Sequence, residues 1–163
     1  MNKTIFTVIL ITIGFISLML WARSIQEPIG LDIGAGSVLS VSEKLYDFGT
    51  ISMKNGDVVK EFVVTNPTDK DIVVNSLVTS CMCTKAFVVG PNGAIKGPFG
   101  MPGMGYAPAI NEAIKAGEDR VIRVVYDPNA HGPAGVGRIN RYVTLADKSG
   151  GKLQLEIKAV VTP

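Results

Sequence analysis

The residues of this chain best suited to chemistry are its sulfurs and its single histidine. Both cysteines stand together in Thr79-Ser80-Cys81-Met82-Cys83-Thr84, spaced Cys-x-Cys. Two further sulfurs are spaced as Met101-x-x-Met104, and the histidine is His131. A thiolate pair selects soft or borderline ions such as copper(I) or zinc, and two sulfurs alone do not close a site. The candidate metal ligands are therefore Cys81 and Cys83 with help from Met82, Met101, Met104 or His131, and the candidate ion is copper or zinc. The same pair has three other readings. It can be a labile redox disulfide, because strained exposed disulfides are the reactive ones. It can offer a thiol to a partner protein. It can be two small residues packed at a strand end. A redox role needs a nearby cation or helix N-terminus to lower a thiol pKa, and Lys85 is the one cation close in sequence.

No other constellation competes. The chain lacks a G-x-S-x-G elbow, an H-E-x-x-H pair, a P-loop and a G-x-G-x-x-G run. Asp47, Glu118 and Asp127 fall at turns, where carboxylates satisfy backbone donors. Lys and Arg number 16 against 14 Asp and Glu, a net charge of +2 with no basic block, so nucleic acid is not an expected partner. Arg123, Arg138 and Arg141 read as a solvated sheet face.

The elements that must position these residues are strands. Among 163 residues, 18 glycines and 9 prolines punctuate short apolar runs. Val38 to Ser42 opens the first strand, and Leu45 to Ile51 follows with a glycine turn. Asn55-Gly56 turns the chain into a strand over Val58 to Asn66, with Val58, Phe62 and Val64 on one face. Asp71 to Val78 delivers the cysteines, and Phe87-Val88-Val89 leads away from them. Arg120 to Asp127 places Ile122, Val124 and Tyr126 together. Ile139 to Leu145 places Ile139, Val143 and Leu145 together, with Arg141 among them. Asp147 to Gly151 is a hairpin turn into the cleanest alternation of the chain, Leu153, Leu155, Ile157, Ala159 and Val161. About seven short strands with regular turn signals predict an all-β fold, an immunoglobulin-like β-sandwich over residues 41–163. Residues 90–111 are so rich in Gly, Pro and Met that they read as a loop insertion.

Ahead of the sandwich, Ile5 to Ala22 is an uncharged run. About 18 residues at 1.5 Å each reach across a hydrocarbon core. Residues 1–23 are thus expected to form an uncleaved signal anchor, a single transmembrane helix, with residues 24–40 as a flexible linker. Lys3 and the amino terminus precede the run, while Arg23 is offset by Glu27 and Asp32. The positive-inside rule leaves the N-terminus in the cytoplasm and sends the sandwich to the far side of a bacterial cytoplasmic membrane.

Tyr46-Asp47-Phe48-Gly49-Thr50-Ile51, Phe62-Val63-Val64-Thr65-Asn66, the Cys-x-Cys-Thr run, Ala116-Gly117-Glu118 and Tyr126-Asp127-Pro128 together resemble a bacterial family, domain of unknown function 1573. The resemblance implies an exported Ig-like sandwich related in fold to ASH/MSP/hydin domains, and an envelope or periplasmic location. It implies no reaction. This chain departs from the family pattern at Met82, where glycine is usual, and in the insertion at 90–111. The expected role is a membrane-anchored interaction or scaffold module with an envelope protein as partner, no catalytic residues, and no required cofactor. Soft-metal binding and thiol–disulfide chemistry at the Cys-x-Cys are the alternatives.

Overall fold

The computed structural model describes residues 36–105 and 109–163. Among these described residues, ten strands form two five-stranded sheets. In chain order they are β1 (Ser40–Val41), β2 (Leu45–Ser52), β3 (Val58–Thr65), β4 (Ile72–Thr79), β5 (Thr84–Val89), β6 (Ile95–Phe99), β7 (Ala109–Ile114), β8 (Asp119–Tyr126), β9 (Gly137–Asp147) and β10 (Lys152–Thr162). One sheet runs β2-β10-β9-β4-β7 and the other β1-β3-β8-β5-β6. Strand β2 lies parallel to β10; the other pairings are antiparallel. This is the expected all-β sandwich, with ten strands among the described residues where about seven are expected, because short β1 and edge strands β6 and β7 give no clear periodic signal.

The core is made by alternation. Phe62 and Val64, Ala86 and Val88, and Ile122, Val124 and Tyr126 face inward from one sheet, and Val143, Leu145, Leu153, Leu155 and Ile157 from the other. All five alternating residues of β10 are buried. Two devices shift the alternation where the sequence demands it. In β2, Gly49 adopts φ +67° and its N–H donates to the Asp47 carboxylate at 2.8 Å. In β4, a register shift between Val74 and Ser76 lets Leu77 and Thr79 face inward after Val74. A bulge of this kind re-aims every later side chain of its strand.

Three sequence expectations change. The 90–111 stretch is not a continuous loop, because it contributes edge strand β6 and the first half of β7. Four of the five β6 residues are exposed, so β6 carries no buried face to register as periodicity. Gly97 is required there: a Cβ would lie 3.0 Å from the Ala86 carbonyl and 3.1 Å from the Phe87 ring. The expected linker of 24–40 also ends early. Gly36 bridges Lys152, Ser37 bonds the Asp147 carboxylate, and Leu39 is buried in the core. Nor does Arg141 lie on a solvated face: it turns inward to Cys83, whereas Arg123 does lie on the outer face, paired with Glu61 at 2.8 Å. Among the described residues no helix is long and apolar enough to cross a membrane; Ile5 to Ala22, where the anchor is expected, lies outside them.

Candidate functional site

The two cysteines occupy the crossover between the sheets. Strand β4 ends at Thr79 in one sheet and β5 begins at Thr84 in the other, so Ser80 to Cys83 must turn across the end of the sandwich. Because the β4 bulge aims Thr79 inward, its hydroxyl reaches the carbonyls of Cys81 and Thr84, each at 3.0 Å. The turn closes with the Thr84 N–H donating to the Cys81 carbonyl at 3.1 Å. Neighbouring strands fix it further. Ser80 exchanges hydrogen bonds with the Tyr142 backbone of β9, and the Asp127 N–H after β8 donates to the Cys83 carbonyl. The site is therefore built on rigid elements of both sheets.

Cys81 and Cys83 form a disulfide. Cys83 is 2% exposed, whereas Cys81 is only partly buried. Each sulfur meets a different nitrogen. His131 Nε2 lies 3.2 Å from Cys81 Sγ, and Arg141 Nε donates to Cys83 Sγ at 3.2 Å. His131 is brought in by the turn after β8, where the Asn129 N–H bonds the Asp127 carboxylate at 2.7 Å and Asn129 Nδ2 bonds the Met53 carbonyl. Arg141 comes from β9 in the same register as buried Ile139 and Val143, so it enters the sandwich from the inward face. Its second recorded bond goes to the Asn140 carbonyl, and among the described residues no carboxylate pairs with it. Arg141 also opposes the effect of burial on Tyr126. Burial pushes the Tyr126 hydroxyl pKa up, the Arg141 charge pulls it back, and Asp127 adds to the rise.

The structure brings together three of the six candidate ligands. The donor atoms of Cys81, Cys83 and His131 lie within 4.8 Å of one another. Met101 and Met104 are left exposed on the turn after β6, at 37% and 46%. That turn starts beside the site, since the Thr79 N–H donates to the Gly100 carbonyl at 3.2 Å. Lys85 alternates with buried Thr84 and Ala86 and so points to the other face of its sheet. The functional group that sequence reasoning missed is Arg141. Its signal was a cation at the inward position of an alternating strand, Ile139-x-Arg141-x-Val143.

Residues 39–92 match the family model for a protein of unknown function, DUF1573. The match runs from β1 through β5 and takes in the Cys-x-Cys turn, while Ala116-Gly117-Glu118 and Tyr126-Asp127-Pro128 lie beyond it. No curated protein matches the chain. Among solved structures, a protein of unknown function from Porphyromonas gingivalis W83 is similar at a TM-score of 0.55 and 14% identity, covering 80% of this chain and 50% of its own. A family 123 glycoside hydrolase from Clostridium perfringens is similar at a TM-score of 0.51 and 6% identity, over 73% of this chain and 23% of that one. An ASH/PapD-like domain of human CEP192 scores 0.46 at 12% identity, over 78% of this chain and 87% of its own. This chain thus spans half the length of the Porphyromonas protein and less of the hydrolase. At these identities the likeness concerns the fold alone.

Proposed function

We propose that this chain is an Ig-like interaction module anchored in the bacterial cytoplasmic membrane, N-terminus inside, whose Cys81–Cys83 pair exchanges disulfides with a thiol protein of the envelope. The observation that carries the reading is the separate nitrogen at 3.2 Å from each sulfur, His131 on Cys81 and Arg141 on Cys83. The apolar run Ile5 to Ala22 behind Lys3 supports the anchor and its orientation. A disulfide suits an oxidising compartment, which supports placing the sandwich outside the cytoplasm.

The asymmetry of the pair sets the direction of exchange. An incoming thiolate attacks the more accessible sulfur, Cys81 Sγ. The new bond joins partner and Cys81, the Cys81–Cys83 bond breaks, and its electron pair leaves on Cys83 Sγ. There the Arg141 guanidinium stabilises the thiolate by a charge-assisted hydrogen bond. A second partner thiolate then attacks the partner sulfur and releases Cys81, beside which His131 can supply a proton. Two electrons and two protons pass to the cysteine pair, and the partner dithiol becomes a disulfide. Met82, 43% exposed at the tip of the turn, offers the partner an apolar contact next to the reacting sulfur.

The test is mixed-disulfide trapping in cells producing the full chain. Cys83→Ser leaves Cys81 without its intramolecular partner, so adducts with envelope proteins should accumulate and vanish on reduction. Cys81→Ser leaves only the buried Cys83 sulfur and should trap little. Equal trapping by both variants, or none by either, contradicts the exchange reading.

A further inference from the structure

The atoms that flank the disulfide also form a complete ligand set once the disulfide is opened. Reduction by a dithiol reagent delivers two electrons and two protons, breaks the Cys81–Cys83 bond, and leaves two thiols beside the His131 ring. Sulfur and nitrogen donors around one ion, at metal–sulfur distances of about 2.3 Å and metal–nitrogen distances of about 2.0 Å, sit roughly 3.5–4 Å from one another. Cys81 Sγ, Cys83 Sγ and His131 Nε2 already lie within 4.8 Å of one another. The turn that carries the cysteines is held by hydrogen bonds to β8 and β9, so opening the disulfide leaves the donors on a fixed frame.

We infer that the reduced site binds one copper(I) ion through Cys81 Sγ, Cys83 Sγ and His131 Nε2, with Arg141 as the charge that balances the complex. The inference rests on the proposed cycling of the pair between disulfide and dithiol. Ligand softness favours copper(I) or zinc, and charge decides between them. Two thiolates, one neutral imidazole and a monovalent ion sum to −1, which the guanidinium at 3.2 Å from Cys83 Sγ neutralises. A divalent ion in the same ligands gives a neutral complex and leaves the Arg141 charge uncompensated beside it. Three donors also complete a trigonal copper(I) site, whereas zinc takes a fourth. Binding displaces the two thiol protons to solvent and involves no change in copper oxidation state. The disulfide form has no thiolate to offer, so metal affinity and oxidation of the pair are mutually exclusive.

The experiment uses the full chain in detergent, reduced with excess dithiothreitol, desalted without oxygen, and titrated with copper(I) against a chromogenic chelator. Thiols are counted on the same sample. We expect one copper(I) per chain in the reduced protein and none in the oxidised protein. Arg141→Met, which removes a hydrogen bond to a ligating sulfur, should lower affinity about 10–100-fold. His131→Asn should lower it at least as much while preserving the fold. Two free thiols with no bound copper, unchanged affinity in His131→Asn, or zinc held as tightly as copper(I) would each overturn the inference. Because the protein is reduced by reagent, this result is independent of whether the pair exchanges with proteins. Failed trapping with intact copper binding would refute exchange alone, and the reverse pattern would refute the metal site alone.

Discussion

Near each end of strand β8 an arginine lies between the sheets, Arg120 from β8 itself and Arg141 from β9, and the two are used in opposite ways. At the Asp119 end, Arg120 is 7% exposed and fully compensated. It bonds the Glu112 carboxylate at 2.7 Å, Glu118 at 3.1 Å and the carbonyls of Ala113 and Asp119, while Lys96 holds the other Glu112 oxygen. Burial alone would raise the Glu112 carboxyl pKa, but the bonds and charges of Lys96 and Arg120 outweigh it and hold it below its usual value. At the Tyr126 end, Arg141 meets a disulfide sulfur and a carbonyl, with no carboxylate among the described residues. Residues 120 and 126 are six positions apart, roughly 20 Å along a strand. The first cluster joins β6, β7 and β8 and closes one end of the sandwich. The second holds a cation facing a group that is neutral as a disulfide and carries negative charge only as a thiolate.

The largest effect that would break this comparison is on stability. Arg120→Met leaves buried Glu112 with Lys96 alone and should cost about 3 kcal/mol, because losing one partner strands a buried charge. Adding Glu112→Met should recover most of that loss, since the buried pair is worth little against apolar side chains of similar size. Arg141→Met strands nothing and should cost about 1 kcal/mol or less. Urea unfolding of the three variants checks this, and equal losses at Arg120 and Arg141 would erase the distinction. The next effect is on reduction potential. A hydrogen bond from a charged donor is worth about 1.5–3 kcal/mol, and 30 mV corresponds to about 1.4 kcal/mol for a two-electron couple. If Arg141 favours the reduced pair, Arg141→Met should lower the potential by roughly 30–60 mV in a glutathione titration, while Arg120→Met leaves it unmoved.

How much of this was legible in the sequence differs along the same lines. The core strands were, because one buried and one wet face write period-two alternation into β3, β8 and β10. The Cys-x-Cys and His131 were legible as residue types, but their meeting depends on the crossover of Thr79 to Thr84 and on the turn Asp127 to His131, which no local pattern specifies. Strand β6 was hidden because its exposed residues and Gly97-Pro98 carry no periodicity; its backbone pairing with β5 makes it a strand. Arg141 was visible as a charge in an apolar register, yet its neighbour lies 58 residues away in sequence. Glu112 and Arg120 repeat that pattern, each at an inward position of its strand, β7 or β8. An inward charge in an alternating strand is thus a signal of a partner across the sandwich, and only the folded chain says which.

The smallest effect, and the one that separates the ends without touching an arginine, is acid. The folded Glu112 carboxyl has a pKa below its usual value of 4.5. Its contribution to stability is therefore complete above that value and is lost as pH falls through the folded pKa, when the unfolded chain binds the proton more readily. The Asp147 carboxyl behaves alike: burial would raise its pKa, but the hydrogen bonds of Ser149, Gly151 and Ser37 outweigh it and lower it. Glu112→Gln should remove the Glu112 share, so its stability below about pH 4.5 should fall less steeply with acid than that of the unaltered chain. Asp147 should keep the remaining slope. Urea midpoints measured from pH 6 to pH 3 give both slopes. Among the described residues no carboxylate bonds Cys81 Sγ, Cys83 Sγ or the Arg141 guanidinium, so replacing the oxidised pair by Cys81→Ser/Cys83→Ser should leave the slope unchanged. A slope that follows the cysteines and ignores Glu112 would mean that the sandwich is held at the cysteine end, and the assignment of roles to the two arginines would have to be exchanged.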